Sequence, residues 1–125
     1  VNLGTVYAGY PHRYCHYRKT FGYANMPLDG IWLRAPYLHN GSVPTLRDLL
    51  EATAQRPMQF HRGNDVYDPV KVGFVSNVEE QGGRKFFAYD TTKPGNSNSG
   101  HEGKRYGTEL APAEKDALVE FMKTF

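Results

Sequence analysis

The sequence has 125 residues, one domain's worth of chain. Fifteen Lys and Arg stand against 13 Asp and Glu, a formal charge of +2, which is too near balance for a binder of nucleic acid or membrane surfaces driven by bulk charge. No apolar run approaches the roughly 18 residues of a spanning helix, and one cysteine excludes an intrachain disulfide framework and a four-cysteine zinc site.

Leu, Ile, Val and Phe together make 26 residues, close to the compositional edge of disorder, yet 17 residues are aromatic. Thirteen Gly and eight Pro imply much loop and turn. Such a chain has trouble filling its own core, so it is expected to be completed by a partner subunit, the rest of a longer protein or a large cofactor. The start at Val1 without a signal peptide leads to the expectation of a processed subunit or the tail end of a longer protein.

In chain order, residues 1–25 carry Arg13, Arg18 and Lys19, five tyrosines and no acidic residue, and no helical or strand period runs through them. They read as an extended, basic, Tyr-rich arm, with residues 26–125 as the domain proper. Residues 26–42 are dense in Pro, Gly and aromatics and read as a fixed irregular loop. A short helix follows near 44–52, with Pro44 in its first turn and Leu46, Leu49 and Leu50 on its buried stripe. Val70–Val78 and Lys85–Thr91 read as two strands of a hairpin near 70–91, turning at Gly82-Gly83. Residues 96–107 form a polar, glycine-rich loop, which needs an anchor if it is ordered. A last helix near 112–124 has Pro112 at its start, Glu114 and Asp116 in the first turn and Lys123 in the last. Ala117, Leu118, Phe121, Met122 and Phe125 form its expected apolar stripe, and Ala111 at the N-cap offers no acceptor.

Histidines carry the candidate chemistry. His12, Cys15 and His16 spell H-x-x-C-H, one cysteine short of the C-x-x-C-H of covalent haem attachment. An ordinary free thiol between two surface histidines is the plainer reading. A single-thioether haem, or a zinc site completed by His39, are the alternatives. His39 precedes the helix start and reads equally as a packed loop residue bonding backbone carbonyls or as a functional one. His61 reads as solvated. His101 stands in NSGHEG, with no apolar neighbour and glycines on both sides, a setting suited to an imidazole that binds a metal axially, although by itself the string reads more plainly as a surface histidine in a flexible loop. Asp65 and Asp68, with Asn64, read as turn formers ahead of Pro69, since nothing resembles a full calcium loop.

The stretch PLDGIWLRAPYLHNGSVPTLRDLL (27–50) resembles the C-terminal half of bacterial di-haem cytochromes c. These include the di-haem cytochrome c peroxidases, the di-haem enzymes that mature methylamine dehydrogenase and, above all, the rubber-oxygenase-like branch. YDP (67–69), VGF (72–74), GNSNSGH (95–101) and YGT (106–108) fit that last branch as well. The resemblance covers about residues 26–125. It implies a mainly α, cytochrome c-like fold with extensive irregular loops. It implies haem c whose attachment site lies outside this chain, because the family's two C-x-x-C-H sites are missing here. Another chain, or an N-terminal part not in this sequence, would carry them; the third option is that haem binding has been lost. A Met ligand of the peroxidase branch has no counterpart over 46–53. The distal ligand of the rubber-oxygenase-like branch falls on His101, for which the resemblance implies the role of haem iron ligand. For His39, Trp32, Arg34 and Tyr37 the resemblance implies lining of the haem pocket, with Arg34 placed to pair a propionate.

The resulting expectation is a haem-associated redox or electron-transfer domain, periplasmic or otherwise exported, working with a redox partner protein. As an enzyme it would be a haem oxidoreductase, peroxidase- or dioxygenase-like. A non-catalytic accessory subunit of a larger redox complex is the alternative. A polyanion binder working through 10–25 comes third, since the rest of the chain holds 12 basic and 13 acidic residues and no nucleic-acid partner is expected.

Overall fold

The Thr45 side chain decides where the first helix begins. Its backbone is extended (φ −130°, ψ 158°), and its Oγ1 accepts the Asp48 N–H at 3.1 Å while donating to Asp48 Oδ2 at 2.6 Å. In the computed structural model, which describes residues 21–23 and 26–125, α1 is therefore Leu46–Leu49. Pro44 stands just ahead of the cap rather than in the first turn. The next two free N–H groups, of Leu46 and Arg47, donate to the carbonyls of Val72 and Lys71 at 2.9 and 3.1 Å, so the start of the helix is satisfied by the 71–72 backbone.

The expected helix over 44–52 is shortened to a single turn. The carbonyls of Leu49 and Glu51 are taken by the guanidinium of Arg56, and Leu50 leaves helical geometry at φ −82°, ψ 1°. The predicted stripe holds: Leu46, Leu49 and Leu50 are all buried.

The second helix, α2 (Pro112–Met122), starts where its sequence says. Ala111 has no acceptor to give, but the Glu114 carboxylate accepts the Ala111 N–H at 2.8 Å, the returning half of a capping box. Its buried face is not the expected one. Lys115 and Val119 are buried, and Leu118 and Met122 are half-buried, whereas Ala117, Phe121 and Phe125 lie open. The Lys115 ammonium, bonded to Glu51 Oε2 at 2.7 Å beneath the helix, fixes this rotation and turns Phe121 outward. Arg47 Nε reaches Asp116 Oδ1 at 2.6 Å and its Nη1 bonds Glu51 Oε1, so four charged side chains join α1 to α2.

The hairpin expected over 70–91 is not formed as such. Its turn is: β4 (Glu80–Gln81) and β5 (Arg84–Lys85) pair antiparallel across Gly82 and Gly83, both at positive φ as a two-residue hairpin loop demands. The longer strands pair elsewhere. Asp68 Oδ1 accepts the N–H groups of Val70 and Lys71, which turns the chain back and pairs β2 (Tyr67–Asp68) with β3 (Gly73–Phe74). The last strand, β6 (Phe87–Asp90), pairs antiparallel with β1 (Gln59–Arg62), and Phe60 stacks on Tyr89 across that ribbon with centroids 5.1 Å apart. The fold is thus mixed, and the expectation of a mainly α chain is corrected. Among the described residues two short α-helices stand with three antiparallel two-stranded ribbons. The density of Gly, Pro and turn-forming Asp and Asn breaks the chain into pieces too short for longer helices.

The core is small. Tyr37, Val43, Leu46, Leu49, Leu50, Val72 and Val119 form its buried centre, flanked by Ile31, Trp32, Leu38, Tyr67, Leu118 and Met122. Two features bring its layers together. Tyr37 and Val43 exchange backbone hydrogen bonds (2.7 and 3.3 Å) that close the 37–43 loop. Gly73 bridges Thr45 so closely that a Cβ would lie 2.6 Å from the Pro44 carbonyl oxygen. The arm with His12, Cys15 and His16 lies outside the described residues, and so does the zinc site that they would share with His39.

Candidate functional site

The loop over 95–107 has almost no apolar side chain, so its order must come from hydrogen bonds, and it does. Arg56, only 2 % exposed, reaches into it from the residue after the 3-10 turn Thr53–Gln55. Its Nη1 donates to the carbonyls of Asn98 (2.6 Å) and Gly100 (2.8 Å), and its Nη2 to those of His101 (2.9 Å) and Leu49 (3.3 Å). Its Nε donates to the Glu51 carbonyl at 2.9 Å. A guanidinium has five N–H donors, and all five are matched. Burial pulls the pKa of Arg56 below its ordinary value against the pull of the Glu102 and Asp48 charges, and the group remains a cation at neutral pH.

Three further contacts hold the loop from outside. Glu102 accepts from the Thr53 N–H (3.1 Å) and hydroxyl (2.7 Å). Asn98 Nδ2 donates to the Pro57 carbonyl at 3.2 Å. Asn40 Nδ2, next to His39, donates to the carbonyls of Gly95 (3.2 Å) and Ser97 (2.9 Å). The late loop is thereby bound to both halves of the 35–57 segment. The anchor that this loop needs thus comes from within the chain.

His101 stands at the tip of this arrangement. Its backbone is left-handed (φ 52°), uncommon for a residue with a side chain, and its carbonyl is tied to Arg56. The imidazole leans on the Tyr106 ring, centroids 4.5 Å apart and planes tilted by 43°. Among the described residues neither ring nitrogen has a hydrogen-bond partner, and the residue as a whole is open to solvent. Desolvation of the ring, and after it the Arg56 charge, holds the imidazole below its ordinary pKa. The shift favours the neutral ring, the form in which histidine binds a metal. Its chemistry therefore fits an axial ligand to haem iron.

The other residues expected at a haem pocket lie apart from it. Tyr37 is buried in the core, its hydroxyl donating to the Ile31 carbonyl at 2.9 Å, and desolvation, then the neighbouring Tyr67, raises its pKa strongly. Trp32 is half-buried in the same Ile31–Leu33 turn; its Nε1 donates to the Phe125 carbonyl at 3.1 Å, and its own carbonyl accepts the Tyr67 hydroxyl. Arg34 is exposed and donates from Nη1 to the Pro27 carbonyl (3.0 Å) and from Nη2 to that of Asp29 (2.7 Å), pinning the 27–30 loop. Among the described residues no carboxylate pairs with it. His39 is exposed and stacks on Tyr23 at 4.2 Å. The four thus divide into Trp32 and Arg34 on one turn, to whose Ile31 carbonyl the Tyr37 hydroxyl donates, and a separate His39–Tyr23 stack, with Asn40 linking the latter to the His101 loop.

A cleft of about 190 Å³ opens elsewhere, between α1 and β3, lined by Thr45, Asp48, Asp68 and Lys71 among others. That is smaller than the ~300 Å³ at which small-molecule pockets begin. No group of three or more metal-ligating side chains occurs among the described residues.

Arg56 is the residue that sequence reasoning missed, having passed as one of many loop positions. The signal was indirect: a loop with no packing side chain exposes a row of carbonyls, and only Arg offers five donors in one rigid plane.

Residues 22–61 match the family model described as RoxA-like, cytochrome c-like. The match takes in Trp32, Arg34, Tyr37, His39 and Arg56, and it supports the cytochrome c resemblance over that segment. The chain is also similar to two proteins of Sinorhizobium fredii (strain NBRC 101917 / NGR234), each described as uncharacterized. It is 49% identical to y4iJ over 108 residues, 82% of this chain and 17% of that protein. It is 43% identical to y4iM over 119 residues, 82% of this chain and 27% of that protein. The chain therefore spans about a sixth and about a quarter of the length of these relatives.

Proposed function

We propose that this chain is one portion of a c-type, di-haem cytochrome of peroxidase- or oxygenase-like kind, in which His101 would supply an imidazole to a haem attached outside these 125 residues. The observation that carries the reading is the His101 ring: free at both nitrogens among the described residues, and presented on a loop fixed by buried hydrogen bonds. The cytochrome c-like match over 22–61 supports it from the other side, because that segment supplies Arg56, Thr53 and Asn40, which hold the loop. The haem would supply one-electron chemistry when bound. The chain's own residues would hold the imidazole in place, deprotonated and facing outward. The protein would work in the periplasm or outside the cell with a redox partner.

A second reading has one observation in its favour. Arg56 holds the loop without any metal, so the same fold would serve as a non-catalytic accessory element in a larger redox complex. His101→Ala in the intact protein separates the two. On the first reading the visible spectrum of the haem protein moves from six-coordinate low-spin to five-coordinate or water-ligated, while His61→Ala leaves it unchanged. An unaltered His101→Ala spectrum refutes the ligand role and leaves the accessory reading.

A further inference from the structure

Arg56 does more than fill a polar hole. Three of the five carbonyls it binds, those of Asn98, Gly100 and His101, belong to the loop that carries the imidazole, and the other two, of Leu49 and Glu51, belong to the end of α1. The planar fork therefore fixes the direction of the 98–101 backbone relative to the core. The contact at the His101 carbonyl sits on the residue whose φ is left-handed, so the same bond that orients the carbonyl holds the strained dihedral. Glu102 closes the arrangement on the next residue through Thr53. No side chain of the loop replaces these bonds: Ser97 and Ser99 bond each other, and Asn98 reaches Pro57.

We infer that Arg56 is the positioning residue for the His101 imidazole, setting its presentation to the bound group through the loop backbone. The inference rests on the ligand reading of His101 and goes beyond it by naming the residue that makes the ligand rigid. Lysine cannot substitute. It brings one ammonium with three donors on a flexible stem, so at least two of the five carbonyls lose their partner.

The test uses Arg56→Lys in the intact haem protein, beside Leu46→Val as a control for general loss of stability and His101→Ala as the ligand-null variant. Amide hydrogen exchange reads the loop directly. The expected result is at least tenfold faster exchange over 98–103 in Arg56→Lys, with α2 and the β1–β6 ribbon as in the parent, and no such selective change in Leu46→Val. The spectrum of Arg56→Lys is expected to gain a high-spin component that free imidazole in the buffer converts back to low-spin. Exchange over 98–103 that rises no more than elsewhere overturns the inference. So does an Arg56→Lys spectrum equal to the parent's when His101→Ala has changed it, and that outcome leaves the ligand reading standing. An unaltered His101→Ala spectrum overturns the ligand reading and this inference together.

Discussion

Replacing Glu51 by Gln should be among the most damaging single-atom changes in the molecule. The Glu51 carboxylate accepts Lys115 Nζ at 2.7 Å on one oxygen and Arg47 Nη1 on the other. Lys115 is the buried party: its side chain is 7% accessible, so in Glu51→Gln its ammonium keeps at most a neutral amide oxygen as acceptor and loses its counter-charge. Breaking a buried pair by removing one partner costs about 3–5 kcal/mol. Glu51 and Arg47 are about one-fifth accessible, so water relieves part of that, and about 2–3 kcal/mol is expected. For a domain of this size that is a fall in Tm of roughly 6–12 °C. Lys115→Met in the Glu51→Gln background should recover most of the loss, because the orphaned charge goes with it. Stability should also depend on pH. Burial raises the pKa of Glu51, but the hydrogen bonds from Lys115 and Arg47 outweigh it and hold the carboxyl below its ordinary value. A carboxyl lowered in the folded state contributes stability above its unfolded pKa, near 4.3, and loses it as pH falls through the folded value. The parent should therefore weaken below about pH 4.3, and the Gln variant should show a flatter acid limb. Urea denaturation of the four proteins of the cycle reads all of this. A Glu51→Gln cost under about 0.5 kcal/mol, with no coupling to Lys115, would show the network to be an ordinary surface cluster and refute the reasoning.

Gly73→Ala should destabilise by about 2 kcal/mol or more, because its Cβ would meet the Pro44 carbonyl and Thr45 Cα, both backbone atoms that α1 holds in place; thermal melting checks it. Ser42 is the reverse case. It is fully buried, yet its hydroxyl has no hydrogen-bond partner, so Ser42→Ala should cost nothing or stabilise slightly, by up to about 1 kcal/mol, in the same melting experiment.

The helices were legible because their signals are local. The Leu46, Leu49 and Leu50 spacing and the Pro112–Glu114 start each act within one or two turns of chain. The fold class was not, because strands of two to four residues pair with partners chosen by distant turns. Gly82-Gly83 announces its own hairpin, but nothing near Phe87–Asp90 says that its partner is Gln59–Arg62 rather than the strand just before it. The Phe60–Tyr89 stack that fixes this register forms only once the ribbon exists. The α2 stripe was misjudged for a similar reason. Hydropathy ranks Phe121 above Lys115 for burial, and only the Glu51 carboxylate beneath the helix reverses that order. At the site, the His101 motif was visible as a string, whereas the partner that orders it lies 45 residues earlier in sequence.

That separation bears on how a loop of this composition could serve in the proposed ligand role. Ordering a backbone costs roughly 1–2 kcal/mol per residue, so a glycine-rich loop of five residues that relied on a metal bond for its order would lose several kcal/mol of that bond to its own entropy. Here the Arg56 and Thr53 contacts meet that cost within the protein, before anything binds. An imidazole held this way leaves more of the free energy of ligation available for setting affinity. It also explains why glycines flank a left-handed His101. Gly100 and Gly103, at φ 89° and 101°, let the chain turn its carbonyls inward to the guanidinium while the ring faces out. A loop built from ordinary residues could do one of these and not both.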